Sequence, residues 1–305
     1  MHRLRALFLA GFAALTGLAL FVSRSDANPE TVKLIAPGVW FREGDLDLGH
    51  CNNTIIEMKD YLIVVDANFP SGAKAAMTDA KRISPKPVKY VFDTHHHGDH
   101  LYGNLVWTRA GATTLAFQGV ADELKRLEPG RWESTAKTRT DVAELQQPGP
   151  EPPKQDIKEQ LFVLNDGTRK VEFHHYGWAH TRGDGFVYLP KEQVLCTGDA
   201  VVNGPYNATM DANIGNWPSV LAAAGKLKAK AVLPGHGVPG GKELISGQAE
   251  FMTELLKAVK AGVDSGKKME EIQASVKLPE SVSKWVGENT LKGQVRDAYN
   301  ELTKK

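Results

Sequence analysis

The run Thr94-His95-His96-His97-Gly98-Asp99-His100 places four potential metal-ligand side chains, His95, His97, Asp99 and His100, within six residues. Zinc accepts imidazole nitrogen and carboxylate oxygen at similar distances, so alternating His95 and His97 can grip one ion while Asp99 and His100 turn towards a second. His96 points the other way, because neighbours in an extended segment cannot share a ligand direction, and it reads as a core or supporting residue behind the ligands. A bare three-histidine tract can also be a surface loop. The context argues otherwise: residues 87–93 alternate and are rich in β-branched and aromatic side chains, so a buried strand delivers the cluster to a strand end.

Three further segments, residues 171–184, 193–199 and 231–237, repeat this grammar. Each is a short apolar strand pattern followed by a glycine-flanked residue able to bind metal: His180, Asp199 and His236 in turn. Together with the first cluster they complete a set for two ions.

The elements that must position these residues are partly legible. Residues 61–66 read as a central strand ending in the carboxylate of Asp66, followed by a glycine turn and a helix over 73–83. Residues 113–117, 186–189, 194–197 and 232–233 are further strands. Helical spacing recurs over 120–128, over 218–228 behind Trp217-Pro218, and over 242–265, 268–276 and 289–303. Residues 129–158, with their proline-rich stretch at 148–153, read as a long excursion, either a lid whose Trp132 covers a substrate or a passive loop whose Trp132 docks.

The ordered motifs resemble the metallo-β-lactamase superfamily, whose signature is an early Asp, then H-x-H-x-D-H, then a His, an Asp and a His on separate loops. Here these are Asp66, His95, His97, Asp99, His100, His180, Asp199 and His236. The resemblance spans residues 30–260 and implies an α/β (α+β) fold, a four-layer αββα sandwich with a C-terminal helical extension. It also implies that His95, His97 and His180 bind one zinc, that Asp99, His100 and His236 bind a second, and that Asp199 bridges the two. Asp66 becomes a buried carboxylate that orients a ligand. Two ions about 3.5 to 4 Å apart would lower the pKa of a water between them, giving a hydroxide that attacks an ester-, lactone-, sulfate- or amide-type substrate while Asp99 orients it and relays the proton.

Departures from the family's subgroups narrow this. True β-lactamases of the superfamily mostly carry Cys or Ser where Asp199 stands, and Val202 occupies the place of their carboxylate-binding Lys, so β-lactam cleavage is expected as an alternative main or side activity. Only 36 residues separate Asp199 from His236, which excludes the nuclease branch and its inserted domain. The same ligand set would also suit a mononuclear iron sulfur or persulfide oxygenase, or a non-catalytic metal-binding protein. By their order in the chain, Trp178, Tyr206, Asn213 and Trp217, together with Asn207, are candidates for the substrate pocket.

Arg3 and Arg5, the apolar stretch 6–22 and Ser25-Asp26-Ala27 read as a signal peptide over 1–27, ahead of a catalytic domain over 28–265 and a helical extension over 266–305. A periplasmic or secreted protein without a membrane anchor after leader removal is expected; an uncleaved anchor is the alternative. The net charge is +1, and without Arg3, Arg5, Arg24 and Asp26 the chain has 34 basic against 35 acidic residues. That leaves no electrostatic footprint for nucleic acid, and the expected partner is a small-molecule substrate. Cys51 and Cys196, the two cysteines, make a disulfide framework absent and a single bridge conceivable.

Overall fold

The computed structural model describes residues 32–128 and 130–304; the leader assigned to 1–27 lies outside them. In chain order the described elements are β1 (Val32–Ala36), β2 (Val39–Arg42), β3 (Asn53–Glu57), β4 (Leu62–Val65), α1 (Pro70–Ile83), β5 (Val88–Phe92), α2 (Gly98–Leu101), α3 (Asn104–Arg109), β6 (Thr113–Phe117), α4 (Gln118–Leu127), α5 (Gly130–Thr138), α6 (Thr140–Ala143) and β7 (Gln155–Ile157). They continue with β8 (Leu161–Asn165), β9 (Lys170–His174), β10 (Phe186–Leu189), β11 (Val194–Cys196), α7 (Trp217–Ala224), β12 (Ala231–Leu233), α8 (Glu243–Asp264), α9 (Met269–Ser275) and α10 (Glu288–Thr303).

The strands form a seven-stranded sheet, β1 to β7 in sequence order, and a five-stranded sheet ordered β12-β11-β10-β9-β8. In the first, β1 to β4 pair antiparallel and β4 to β7 parallel, so the chain switches from hairpins to helical crossovers at β4, one strand before the metal-ligand loop. Strand alternation builds the layers. Ile63 and Val65 of β4 face the second sheet, where they pack with Phe92, Phe173, Val187 and Cys196. Leu62 and Val64 face outward against Ala73, Ala76 and Ala80 of α1, which recur at helical spacing, and against Trp107. On the far side, Phe186, Leu195 and Val232 pack under α7, α8 and α10. The result is the expected αββα sandwich, with the C-terminal helices on one outer layer.

Two expectations change. The excursion at 129–158 holds α5, α6 and β7, and β7 extends the first sheet beside β6. Its Trp132 is 3 % exposed, packs against Tyr102 and donates its Nε1 hydrogen to the Gln147 carbonyl, so the indole docks and does not cover the cavity. Cys51 and Cys196 are both buried and free. Among the described residues no helix is long and apolar enough to cross a membrane.

Candidate metal centre

The ligand loop starts where β5 ends and runs into α2. Beneath it, β4 ends at Asp66 in a left-handed conformation (φ 68°), held by its own amide on the Phe92 carbonyl and by Asn53 Nδ2 on its carbonyl. Asp tolerates this region better than most side chains, and the turn aims its carboxylate under the loop. Asp66 Oδ1 accepts from the Thr94 amide at 2.8 Å and Oδ2 lies 3.0 Å from His100 Nδ1, which puts the carboxylate behind that ring.

His95, His97 and His180 converge, with one nitrogen each within 4.8 Å of the others. The outer partners fix the tautomers. His97 Nε2 donates to Asp211 at 2.9 Å and His180 Nδ1 donates to the Ala208 carbonyl at 3.0 Å. The remaining nitrogens, His97 Nδ1 and His180 Nε2, therefore face each other at 3.0 Å with lone pairs and no hydrogen between them. His95 Nε2 is buried without a hydrogen-bond partner. Three converging lone pairs fit a cation.

Asp99, His100 and His236 form the second group. Asp99 Oδ2 lies 2.9 Å from His236 Nε2 and 3.4 Å from His100 Nε2. Asp199 stands between the groups: Oδ1 is 3.3 Å from His100 Nε2, and Oδ2 is 3.6 Å from His236 Nε2 and 3.9 Å from His180 Nε2. Buried His100 Nε2 and Asp199 Oδ1 also lack hydrogen-bond partners. The donor set thus fits two divalent ions, with His95, His97 and His180 to hold one, Asp99, His100 and His236 the other, and Asp199 shared.

Charge separates the two sets. Burial holds His95 well below the ordinary histidine range and His180 down to about 3. Burial also pulls His100 down, but Cys51 and the carboxylates of Asp199, Asp66 and Asp99 outweigh it and raise His100 well above that range; Asp199 and Asp99 raise His236. Asp199, which burial alone would push up, is held at about 2 by His236 and His100. Protons therefore compete with metal at His100 and His236 more than at His95 and His180. On acidification, metal content is expected to fall from two ions to one, the second set emptying first. Elemental analysis after desalting at each pH checks this; simultaneous loss of both ions would refute it.

The backbone approaches the Asp199 carboxylate closely. A Cβ on Gly235 would lie 2.0 Å from Asp199 Oδ1. Gly235→Ala is expected to displace that carboxylate and weaken metal binding by about tenfold or more, measured by chelator competition.

His96 is fully buried with Nε2 3.2 Å from Asp211 Oδ2, behind the ligands as expected. Asp211 and Arg131 are the residues that sequence reasoning missed. Arg131 on α5 grips Asp211 through both Nη atoms, at 2.6 and 2.9 Å, so one carboxylate holds His96, His97 and a guanidinium. The guanidinium already supplies positive charge at the third cluster of donors, His96, His97 and Asp211. One signal was available: Asp211 is the only acidic residue between Asp199 and His236.

A cavity of about 460 Å³ opens over the centre, walled by Phe69, Tyr102, Arg131, Tyr206 and Met210 and floored by His97, Asp99, Asp199 and His236. Of the pocket candidates only Tyr206 lines it, its ring 5.8 Å from that of His236. Trp217 is fully buried on the inner face of α7, donates to the Ala200 carbonyl and packs against His180. Asn207 is also buried. Trp178 donates to the Asp211 carbonyl, and with Asn213 it lines a separate hollow of about 280 Å³.

A family model described as the metallo-beta-lactamase superfamily matches residues 46–236. Two similar curated relatives are metallo-beta-lactamases type 2. That of Bacillus sp. (strain 170) is 27% identical over 201 residues, covering 64% of this chain and 69% of the relative. That of Bacillus cereus is 27% identical over 203 residues, covering 64% and 70%. Among solved structures, a metallo-beta-lactamase from Pontibacter korlensis matches with a TM-score of 0.61 and 21% identity over 73% of this chain and 98% of that one. A stereoselective inverting sec-alkylsulfatase from Pseudomonas sp. matches with a TM-score of 0.71 and 18% identity over 89% of this chain and 50% of that one. These structural likenesses are likenesses of fold.

Proposed function

Because the chain belongs to the metallo-beta-lactamase superfamily and is a metal-dependent hydrolase, we propose that it is an exported enzyme that holds two zinc ions and cleaves an ester-, lactone-, sulfate- or amide-type bond in a small molecule. The observation that carries this reading is Asp199, whose Oδ2 lies within 3.9 Å of a nitrogen from each ligand set. Zinc, when bound, supplies Lewis acidity towards the electrophile and a water acidified towards neutrality. A single iron in the first set would leave the carboxylates of Asp99, Asp199 and Asp66 around His100 with no metal ion among them.

The chain's own residues supply position and proton handling. Asp66 and Asp211 orient His100 and His97 from behind. Asp99 lies on the cavity floor with its side chain 23% exposed, the place from which a carboxylate can take a proton from water and return it to a leaving group. The leader motif, Arg3 and Arg5 ahead of an apolar stretch and Ser25-Asp26-Ala27, supports export, with domains at 28–265 and 266–305 behind it.

The wall favours an uncharged substrate with an apolar group. Phe69, Tyr102, Tyr206 and Met210 present apolar surface, Arg131 is engaged with Asp211, and Val202 is fully buried, offering no anchor for the carboxylate of a β-lactam. Purified metal-replete protein should hold two zinc per chain. Against lactones, aryl esters, aryl and alkyl sulfates, thioesters, phosphodiesters and a chromogenic cephalosporin, lactones and esters should turn over fastest. One iron per chain, or two zinc with no turnover of any of these, would overturn the reading.

A further inference from the structure

We propose that the C-terminal helix α10, which lies wholly beyond the residues of the family match, is a brace that sets the position of two metal-facing histidines through the loop at 201–216. The proposal rests on the reading of His97 and His180 as ligands.

The loop contains neither an α-helix nor a β-strand, so its path depends on side-chain contacts and on a few backbone bonds, among them Asn203 to the His236 carbonyl and Asn213 to the Ala179 carbonyl. Among those contacts, which also reach Gln248, Trp285, Trp178 and Arg131, two groups interleave along the loop. Residues 207, 209, 214 and 215 meet α10: Gln294 Nε2 donates to the Asn207 carbonyl at 2.8 Å, Thr209 Oγ1 donates to Asp297 Oδ2 at 2.7 Å, and the amides of Ile214 and Gly215 each donate to one oxygen of Glu301 at 2.8 Å. The residues between them meet the centre. The Ala208 carbonyl accepts from His180 Nδ1, and the Asp211 carboxylate accepts from His97 Nε2. Each ligand is thus oriented by a loop atom no more than three residues from a point tied to α10. The Asp297 and Glu301 carboxylates accept hydrogen bonds that a solvent-facing helix does not need, and Gln294 is buried. The inner side of the loop also gives Tyr206 and Met210 to the cavity wall, so the brace bears on substrate position as well.

Glu301→Ala, Asp297→Ala and the pair are tested in the full chain, with Glu301→Gln retaining one acceptor and Ile272→Ala as a comparison. Ile272 lies on α9, buried against Gly262 of α8, so its truncation lowers stability without removing a hydrogen bond to the loop. The readouts are zinc affinity by chelator competition and the visible spectrum of the cobalt-loaded protein at saturation. The expected result is that the Glu301→Ala and Asp297→Ala pair loses about tenfold in zinc affinity and shifts the cobalt bands. Glu301→Gln should fall between, and Ile272→Ala should change neither. Wild-type affinity and spectrum in the pair, or an equal loss in Ile272→Ala, would overturn the brace. A wild-type chain that binds no zinc or cobalt would instead overturn the ligand reading beneath it.

Discussion

Replacing Asp199 with alanine is expected to lower turnover at least about a hundredfold and to reduce bound zinc below two per chain. Its carboxylate approaches both ligand sets: Oδ1 faces His100 and Oδ2 lies between His236 and His180. Removing it also takes away a negative charge that raises His100 and His236, so protonation of the second set alters together with its geometry. Two comparisons make the result specific. Asp199→Asn keeps the shape and loses the charge, and it should retain the fold while losing most of the activity. His97→Ala removes a ligand of the first set alone and should also cost at least about a hundredfold. Metal content and kcat/KM, measured on the same preparations, check both. An Asp199→Ala protein with two tightly held ions and undiminished turnover would end the shared-carboxylate argument.

The candidate metal-binding residues were legible in the sequence because they follow four apolar strands, His95 to His100 together after β5 and His180, Asp199 and His236 after β9, β11 and β12. Strand periodicity marks the place, and histidine or aspartate flanked by glycine marks the chemistry. The His95 to His100 cluster is local enough to be read as one unit, and its alternation correctly sent His96 to the far side. The fold followed from the same pattern, as did α8, α9 and α10, whose long amphipathic spacing leaves little ambiguity. What was not legible depends on paths without periodicity. Asp211 meets His97 across 114 positions and Arg131 across 80, through a loop and an excursion whose prolines hid α5 and α6. Trp217 was misplaced for a related reason: chain order puts it beside the site, but the face of α7 that carries it packs inward. Proximity in sequence was a weak guide to the cavity wall, which Phe69, Tyr102 and Arg131 supply from before the second sheet begins.

Asp211→Ala is expected to be the most damaging substitution outside the ligands themselves, because one carboxylate satisfies three partners at once. Its removal leaves His96 Nε2, fully buried, and the Arg131 guanidinium without their acceptor, and it frees the nitrogen that fixes the tautomer of His97. Breaking a buried ion pair costs about 3 to 5 kcal/mol, and with a third of the Arg131 side chain exposed, about 2 to 4 kcal/mol of stability is expected to be lost. Zinc affinity should fall about tenfold to a hundredfold in addition, since His97 can then turn its lone pair away from the centre. The pH dependence carries a definite sign. Burial alone would raise the Asp211 carboxyl, but its contacts with His96, His97 and Arg131 hold it far below the ordinary range. A depressed carboxyl stabilises the fold above its unfolded pKa, near 4, and that contribution fades as the pH falls through the native value. The gap between variant and wild type should therefore be full at neutral pH and narrow only below about pH 4. Urea denaturation of the metal-free proteins at several pH values measures it. Asp211→Asn, which retains one acceptor oxygen for Arg131, should recover part of the stability, while recovering metal affinity only if the amide oxygen still accepts from His97. A full stability loss with unchanged zinc affinity would show that the carboxylate serves the fold alone.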